Sequence, residues 1–175
     1  GADYVYIQDS AGAMLPRDII ECVEAVRQQC RVPVGLHCHN NLGLAVANSL
    51  AGVEAGASML DCSVQGMGGG AGNTMTEAMI AVLSKAGYTT GVSLSGILDT
   101  AQSVVKPRMR HPQVMDRYTI WLGYAGVVGS MLNPILAAAE RFGVEPDRII
   151  AELGKREVVA GQDDVIIEVA SLFAH

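Results

Sequence analysis

Short apolar runs of β character alternate with longer helical runs through the first hundred residues. Residues 4–7 read as a strand that ends in Asp9-Ser10, followed by a turn at Gly12 and a helix over 16–29. Pro16 suits the first helical turn, and Asp18 favours its positive end. A second strand over 32–38 leads through Asn40-Asn41 into a helix over 42–55 that stops at Gly56. A third strand, 58–64, runs into the glycine-rich segment 66–73, where Asn73 is expected to cap a helix reaching Lys85. Residues 89–92 read as a short fourth strand, with Ser93 capping a helix to about Val105. Four βα units of this kind predict a parallel sheet in an α/β fold.

The pattern changes after this point. His111-Pro112 interrupts it, and residues 127–142 then carry Val128, Met131, Leu132, Ile135 and Leu136 at helical spacing, with Pro134 marking a kink or a late start. Further helices are expected at 146–153, stopped by Gly154, and at 163–173. The chain therefore divides into a βα domain over 1–107 and a small all-helical domain over 108–175.

Composition narrows the possible partners. Half of the 175 residues are apolar, enough for a sizeable core. The formal charge of −6, without any Lys/Arg run, argues against nucleic acid and anionic membrane as partners. Cys22, Cys30, Cys38 and Cys62 lie within helix-like and strand-like runs, so they read as reduced, buried thiols of a cytoplasmic protein. No window has the length of a membrane span, and the first residues are not a signal peptide. The chain opens on a strand-like run without a starting Met, as if cut from something longer.

The candidate chemistry centres on Val34-Gly35-Leu36-His37-Cys38-His39. Strand side chains alternate faces, so His37 and His39 point one way while Cys38 points the other. Two neutral imidazoles on one face suit a divalent metal, although two hydrogen-bonded histidines at a strand end would give the same pattern. A βα chain gathers its functional residues in the loops after the strands' carboxyl ends. Asp9-Ser10, the two histidines and the 66–73 loop all fall there. That loop lacks the Lys-Ser/Thr of a phosphate-binding loop and the spacing of a dinucleotide fingerprint, which leaves a loop packed against the site or a tight structural turn. Read without further context, Tyr124 is a packed loop aromatic and Asn73 a helix cap. His111 and His175 read as solvated, and Met14, Met59, Met67, Met75 and Met79 as core filling.

Taken in order, Asp9-Ser10-Ala11-Gly12-Ala13-Met14, Gly35-Leu36-His37-Cys38-His39-Asn40-Asn41-Leu42, Gly66-Met67-Gly68-Gly69-Gly70-Ala71-Gly72-Asn73 and Leu122-Gly123-Tyr124-Ala125-Gly126-Val127 resemble the 4-hydroxy-2-oxovalerate aldolases. These belong to a wider group of metal-dependent enzymes similar to hydroxymethylglutaryl-CoA lyase. The resemblance implies the C-terminal half of a TIM (β/α)8 barrel followed by a helical domain. It also implies a lyase that cleaves 4-hydroxy-2-oxopentanoate to pyruvate and acetaldehyde in aromatic-compound catabolism, with Mn²⁺ as the divalent ion. His37 and His39 match the family's metal-ligand histidines. Ser10 matches a residue that contacts the pyruvyl part of the 2-oxoacid, and Tyr124 an active-site tyrosine near the 4-hydroxyl end. An acylating acetaldehyde dehydrogenase, docked through the C-terminal helices and receiving the aldehyde by channelling, is the implied partner, and an oligomer is expected.

The family's third ligand, an Asp in an Arg-Asp-Gly motif, has no counterpart here, nor do its enolate-stabilising Arg and proposed His base. Arg17-Asp18 lies inside a helix and is no substitute. The chain alone is therefore expected to bind metal weakly and to show negligible aldolase activity. A related pyruvate or acyl-CoA lyase or carboxyltransferase, and a non-catalytic half-barrel acting as a docking module, are the alternatives.

Overall fold

A computed structural model describes residues 1–159 and 161–174. Its sheet has three parallel strands, β1 (Val5–Asp9), β2 (Val34–Cys38) and β3 (Met59–Asp61), with β2 in the middle. Gln8 lies beside His37, and His37 beside Asp61, so these residues share one face of the sheet. On the opposite face Val34, Leu36 and Cys38 are fully buried. Leu36 and Cys38 pack with Ile19 and Val23 of α1 (Pro16–Gln29), Ala45 of α2 (Ala45–Glu54) and Ala57. Tyr4 and Tyr6, toward the start of β1, are exposed.

The fourth strand expected at 89–92 does not form. Every residue of that segment is exposed, and Gly91 turns the chain at φ 74°. A run with one apolar residue and nothing to bury it against gains too little to order as a strand. The strands are therefore three among the described residues. The helix after the glycine-rich loop, α3 (Thr76–Lys85), is followed by an exposed arm, α4 (Leu94–Thr100), which Ser93 caps by accepting the Gly96 amide. One π turn and one 3₁₀ turn extend that arm to Arg108.

Four helices make up the rest: α5 (Arg117–Ala125), α6 (Leu132–Phe142), α7 (Pro146–Lys155) and α8 (Asp163–Phe173). They close over a second core built from Leu122, Met131, Ile135, Ile149, Ile150, Leu153, Ile166 and Val169. The expected helix over 127–142 is shorter than its apolar pattern. Gly129–Met131 is a 3₁₀ turn, so Pro134 falls in the first turn of α6 and causes no kink there. Gly154 does not stop α7 but lies inside it, where a Cβ would stand 2.4 Å from the Ala125 carbonyl oxygen. None of the described helices is long and apolar enough to cross a membrane. All four cysteines are free thiols.

Candidate functional site

His37 ends the open face of β2, and its Nδ1 lies 3.1 Å from Oδ2 of Asp61 at the end of β3. A carboxylate can only accept, so Nδ1–H donates and the Nε2 lone pair remains available. Metal-binding histidines are held this way, since the second hydrogen bond fixes tautomer and ring orientation. His39 follows one residue beyond the strand, its ring 5.1 Å from that of His37 and nearly edge-on to it. Burial, then the neighbouring His37, lowers the pKa of His39, which favours the neutral ring that a metal requires. Its Nδ1 is buried and has no hydrogen-bond partner.

The glycine-rich loop closes over His39. Asn73 pairs with His39 in an isolated bridge, and its Nδ2 donates to the Met67 carbonyl at 3.0 Å. Its Oδ1 is buried and unpartnered. Asn73 is thus not the cap expected of it, because α3 begins three residues later behind Met75. Asn41, fully buried, ties the rim together. Its Nδ2 donates to Ala11 O at 2.9 Å, and its Oδ1 accepts the Ala71 amide at 2.8 Å. Gly70 sits so close, at φ 61°, that a Cβ there would fall 2.3 Å from Asn41 Oδ1.

Asp9 is buried and spent on its own loop, accepting Ala13 N at 2.9 Å and Met14 N at 3.2 Å. Its pKa is raised by burial, against which these backbone bonds pull. Ser10 is exposed immediately after β1. Tyr124 stands on α5 rather than in a loop, is 77% exposed, and meets the Trp121 ring edge-on at 5.6 Å. With Leu42, Arg117, Ile120 and Trp121 it lines a hollow of about 460 Å³. Helix α5 reaches the rim through Gly123, where a Cβ would lie 2.8 Å from Leu42 Cγ. The structure thus groups His37, His39, Asp61 and Asn73, whereas no hydrogen bond links Ser10 or Tyr124 to that group among the described residues.

Cys38 faces the core, and burial pushes its thiol up to about 12, which leaves it protonated and unsuited to bind metal. Met67 is exposed rather than core filling, His111 is exposed as expected, and His175 lies outside the described residues. Among the described residues no three His, Cys, Asp or Glu side chains stand together as a metal-holding group. What the rim brings together is two imidazoles and, by a backbone bridge to His39, the residue Asn73 with its unpartnered amide oxygen. Asp61 and Asn41 escape notice in the sequence, since their partners are 24 and 30 residues away. The place of Asp61 at a strand's carboxyl end is the signal that could have found it.

Residues 1–104 match the HMGL-like family, and residues 113–175 match the DmpG-like communication domain. The 4-hydroxy-2-oxovalerate aldolase of Carboxydothermus hydrogenoformans is 54% identical over 170 residues, 97% of this chain and 51% of that protein. The enzyme of that name from Moorella thermoacetica is 52% identical, again over 97% of this chain and 50% of its own length. The chain thus spans about half the length of the curated relatives it matches. Among solved structures, the HMG-CoA lyase of Bacillus subtilis superposes with a TM-score of 0.60 at 26% identity, covering 68% of this chain and 42% of that one. The carboxyl transferase domain of Rhizobium etli pyruvate carboxylase gives 0.80 at 18% identity, over 97% of this chain and 30% of that one, a likeness of fold alone.

Proposed function

Because the chain belongs to the HMGL-like family, we propose that it supplies the histidine half of the metal site of a class II aldolase, one that cleaves 4-hydroxy-2-oxopentanoate to pyruvate and acetaldehyde. The observation that carries this is the half-buried His39, with a buried and unspent ring nitrogen, beside a His37 oriented by Asp61. Identity of 54% to a named 4-hydroxy-2-oxovalerate aldolase supports the choice of reaction.

The residues present fit a divalent ion: His37, His39 and Asn73 Oδ1 would hold it, with Mn²⁺ as the ion we favour. A dication held there would supply Lewis-acid stabilisation of negative charge developing on the 2-oxo oxygen. Asp61 would keep the His37 lone pair aimed, and burial lowers the His39 pKa and so favours its neutral ring. Ser10, at the end of β1, would donate to the pyruvyl carboxylate. Tyr124, at the edge of the apolar hollow, would hold the 4-hydroxyl end. The match to a communication domain supports docking of an acylating acetaldehyde dehydrogenase on the α5–α8 unit, with channelling of the aldehyde. We place the domain boundary at about 107/108, and the enzyme in an oligomer in the cytoplasm, in the catabolism of aromatic compounds.

Electron paramagnetic resonance of Mn²⁺ added to the purified chain tests the site. We expect weak binding that His37→Ala and His39→Ala each abolish and that Asp61→Asn weakens about tenfold. Pyruvate release from 4-hydroxy-2-oxopentanoate should be negligible with the chain alone. It should appear, dependent on both histidines, when the chain is co-expressed with the half of the Carboxydothermus hydrogenoformans enzyme that it does not match. Mn²⁺ binding indifferent to both histidines, or a complemented complex that releases no pyruvate, would overturn the proposal.

A further inference from the structure

The buried carboxylate of Glu77 has no part in the chemistry above. It lies in the first turn of α3, 5% exposed, and every hydrogen bond the structure gives it comes from one residue. Both oxygens accept the Gln65 amide at 3.1 Å, and Oε1 also accepts Gln65 Nε2 at 2.8 Å. Gln65 holds a left-handed backbone at φ 58°, a conformation that a residue with a Cβ avoids unless its surroundings impose it.

That turn is the root of the loop over His39. Gly66 follows Gln65 with its amide bonded to Ser63 O, and its carbonyl accepts the Asn73 amide at 2.9 Å. Gly72 O in turn accepts the Asn40 amide at 2.8 Å, next to His39 in the chain. Gly69 lies about a van der Waals contact from His39 Cε1, with a Cβ built on it 4.0 Å away. The backbone direction set at Gln65 therefore decides where Asn73 Oδ1 and the wall of the His39 pocket stand. Ordinary loop stability would not require a buried carboxyl group here, because glycine at position 65 would take the same φ without help.

We propose that Glu77 is a positioning residue of the candidate site, which clamps Gln65 in the left-handed conformation and so sets the Gly66–Asn73 loop against His39. The consequence for metal binding rests on the reading of His37 and His39 given above, whereas the consequence for the loop does not.

Three variants of the full chain test this: Glu77→Gln, Gln65→Gly, and the two combined. Glu77→Gln keeps the shape of the side chain but leaves one acceptor oxygen where there were two and sets an NH₂ against the Gln65 amide, so the clamp is weakened. Amide exchange at Gly72 and Asn73, read by NMR at fixed pH, should quicken about tenfold, the population cost of a left-handed residue with a side chain. Mn²⁺ affinity should fall by the same factor, while exchange in α6 stays as it was. Gln65→Gly alone should leave both unchanged, and in the Glu77→Gln background it should restore both. Unchanged loop exchange in Glu77→Gln, a loss that Gln65→Gly does not restore, or a loosened loop with unaltered Mn²⁺ affinity would each overturn the proposal. If the unmodified chain binds no Mn²⁺, the metal reading fails, and loop exchange and the His39 ring shifts decide the role of Glu77.

Discussion

Asn41 shows why residue chemistry at this rim is only half legible in the chain. The His37 and His39 pair can be read directly, because strand alternation alone puts both on one face. The side chains that orient them cannot. Asn41, Asp61 and Glu77 meet partners 30, 24 and 12 residues away, and such contacts exist only once β1, β2 and the glycine-rich loop have come together. Asn73 is hidden for the same reason: an Asn ahead of an apolar helical run is a common cap, whereas here α3 starts behind Met75 and Asn73 bridges to His39. For Asn41 the consequence is measurable. Asn41→Ala strands the Ala71 amide and the Ala11 carbonyl in a buried setting. The expected loss of stability is about 3 kcal/mol, from two unmade buried hydrogen bonds. Urea unfolding should record it, and a loss below about 1 kcal/mol would mean that water reaches both groups.

At the scale of elements, apolar periodicity found β1 to β3 and the helices between them, and it failed where chemistry other than burial sets an end. Helix α5 is hard to read in the chain because it is short and its apolar residues Ile120, Trp121 and Leu122 run consecutively ahead of Gly123, without a helical stripe. Its start is a capping box, in which Asp116 Oδ1 accepts the Thr119 amide at 2.9 Å and Thr119 Oγ1 accepts the Asp116 amide at 2.8 Å. The opposite error occurred at 89–92, where a β-like composition has no partner strand and no core to cover. Gly154, a glycine expected to end α7, instead lets α7 cross α5 at close range. Gly154→Ala should raise intrinsic helix propensity by up to about 1 kcal/mol. It would also drive a Cβ to within 2.4 Å of Ala125 O and 2.8 Å of Ala125 Cβ. Backbone atoms yield less easily than side chains, so overpacking should win, with a net loss of about 1–2 kcal/mol. Thermal unfolding followed by circular dichroism decides it, and a stabilised variant would show that α5 and α7 separate freely.

The molecule as a whole has two cores that share no residues. One gathers Ile19, Val23, Leu36, Cys38, Ala45 and Ala57 beneath the sheet, and the other runs from Leu122 to Ala170 within the four C-terminal helices. Between them the chain at 110–112 and 114–117 is exposed. The halves meet where Gly123 packs on Leu42 and where Gly129 approaches Gly70, both beside the histidine loop. The helical unit thus owns its core, yet it also covers the rim. A segment of 113–175 should fold alone, although at roughly 60 residues its margin will be small. Circular dichroism of that segment should show helix and a single cooperative melt, and an unstructured segment would show that the Leu42 and Gly70 contacts are needed to close its core. Residues 1–112 without the helical unit should keep the sheet and lose the wall over Leu42 and the 69–70 turn. Their Mn²⁺ affinity should therefore fall below that of the full chain. Equal affinity would mean that α5 and the Gly129–Met131 turn cover the rim without shaping it.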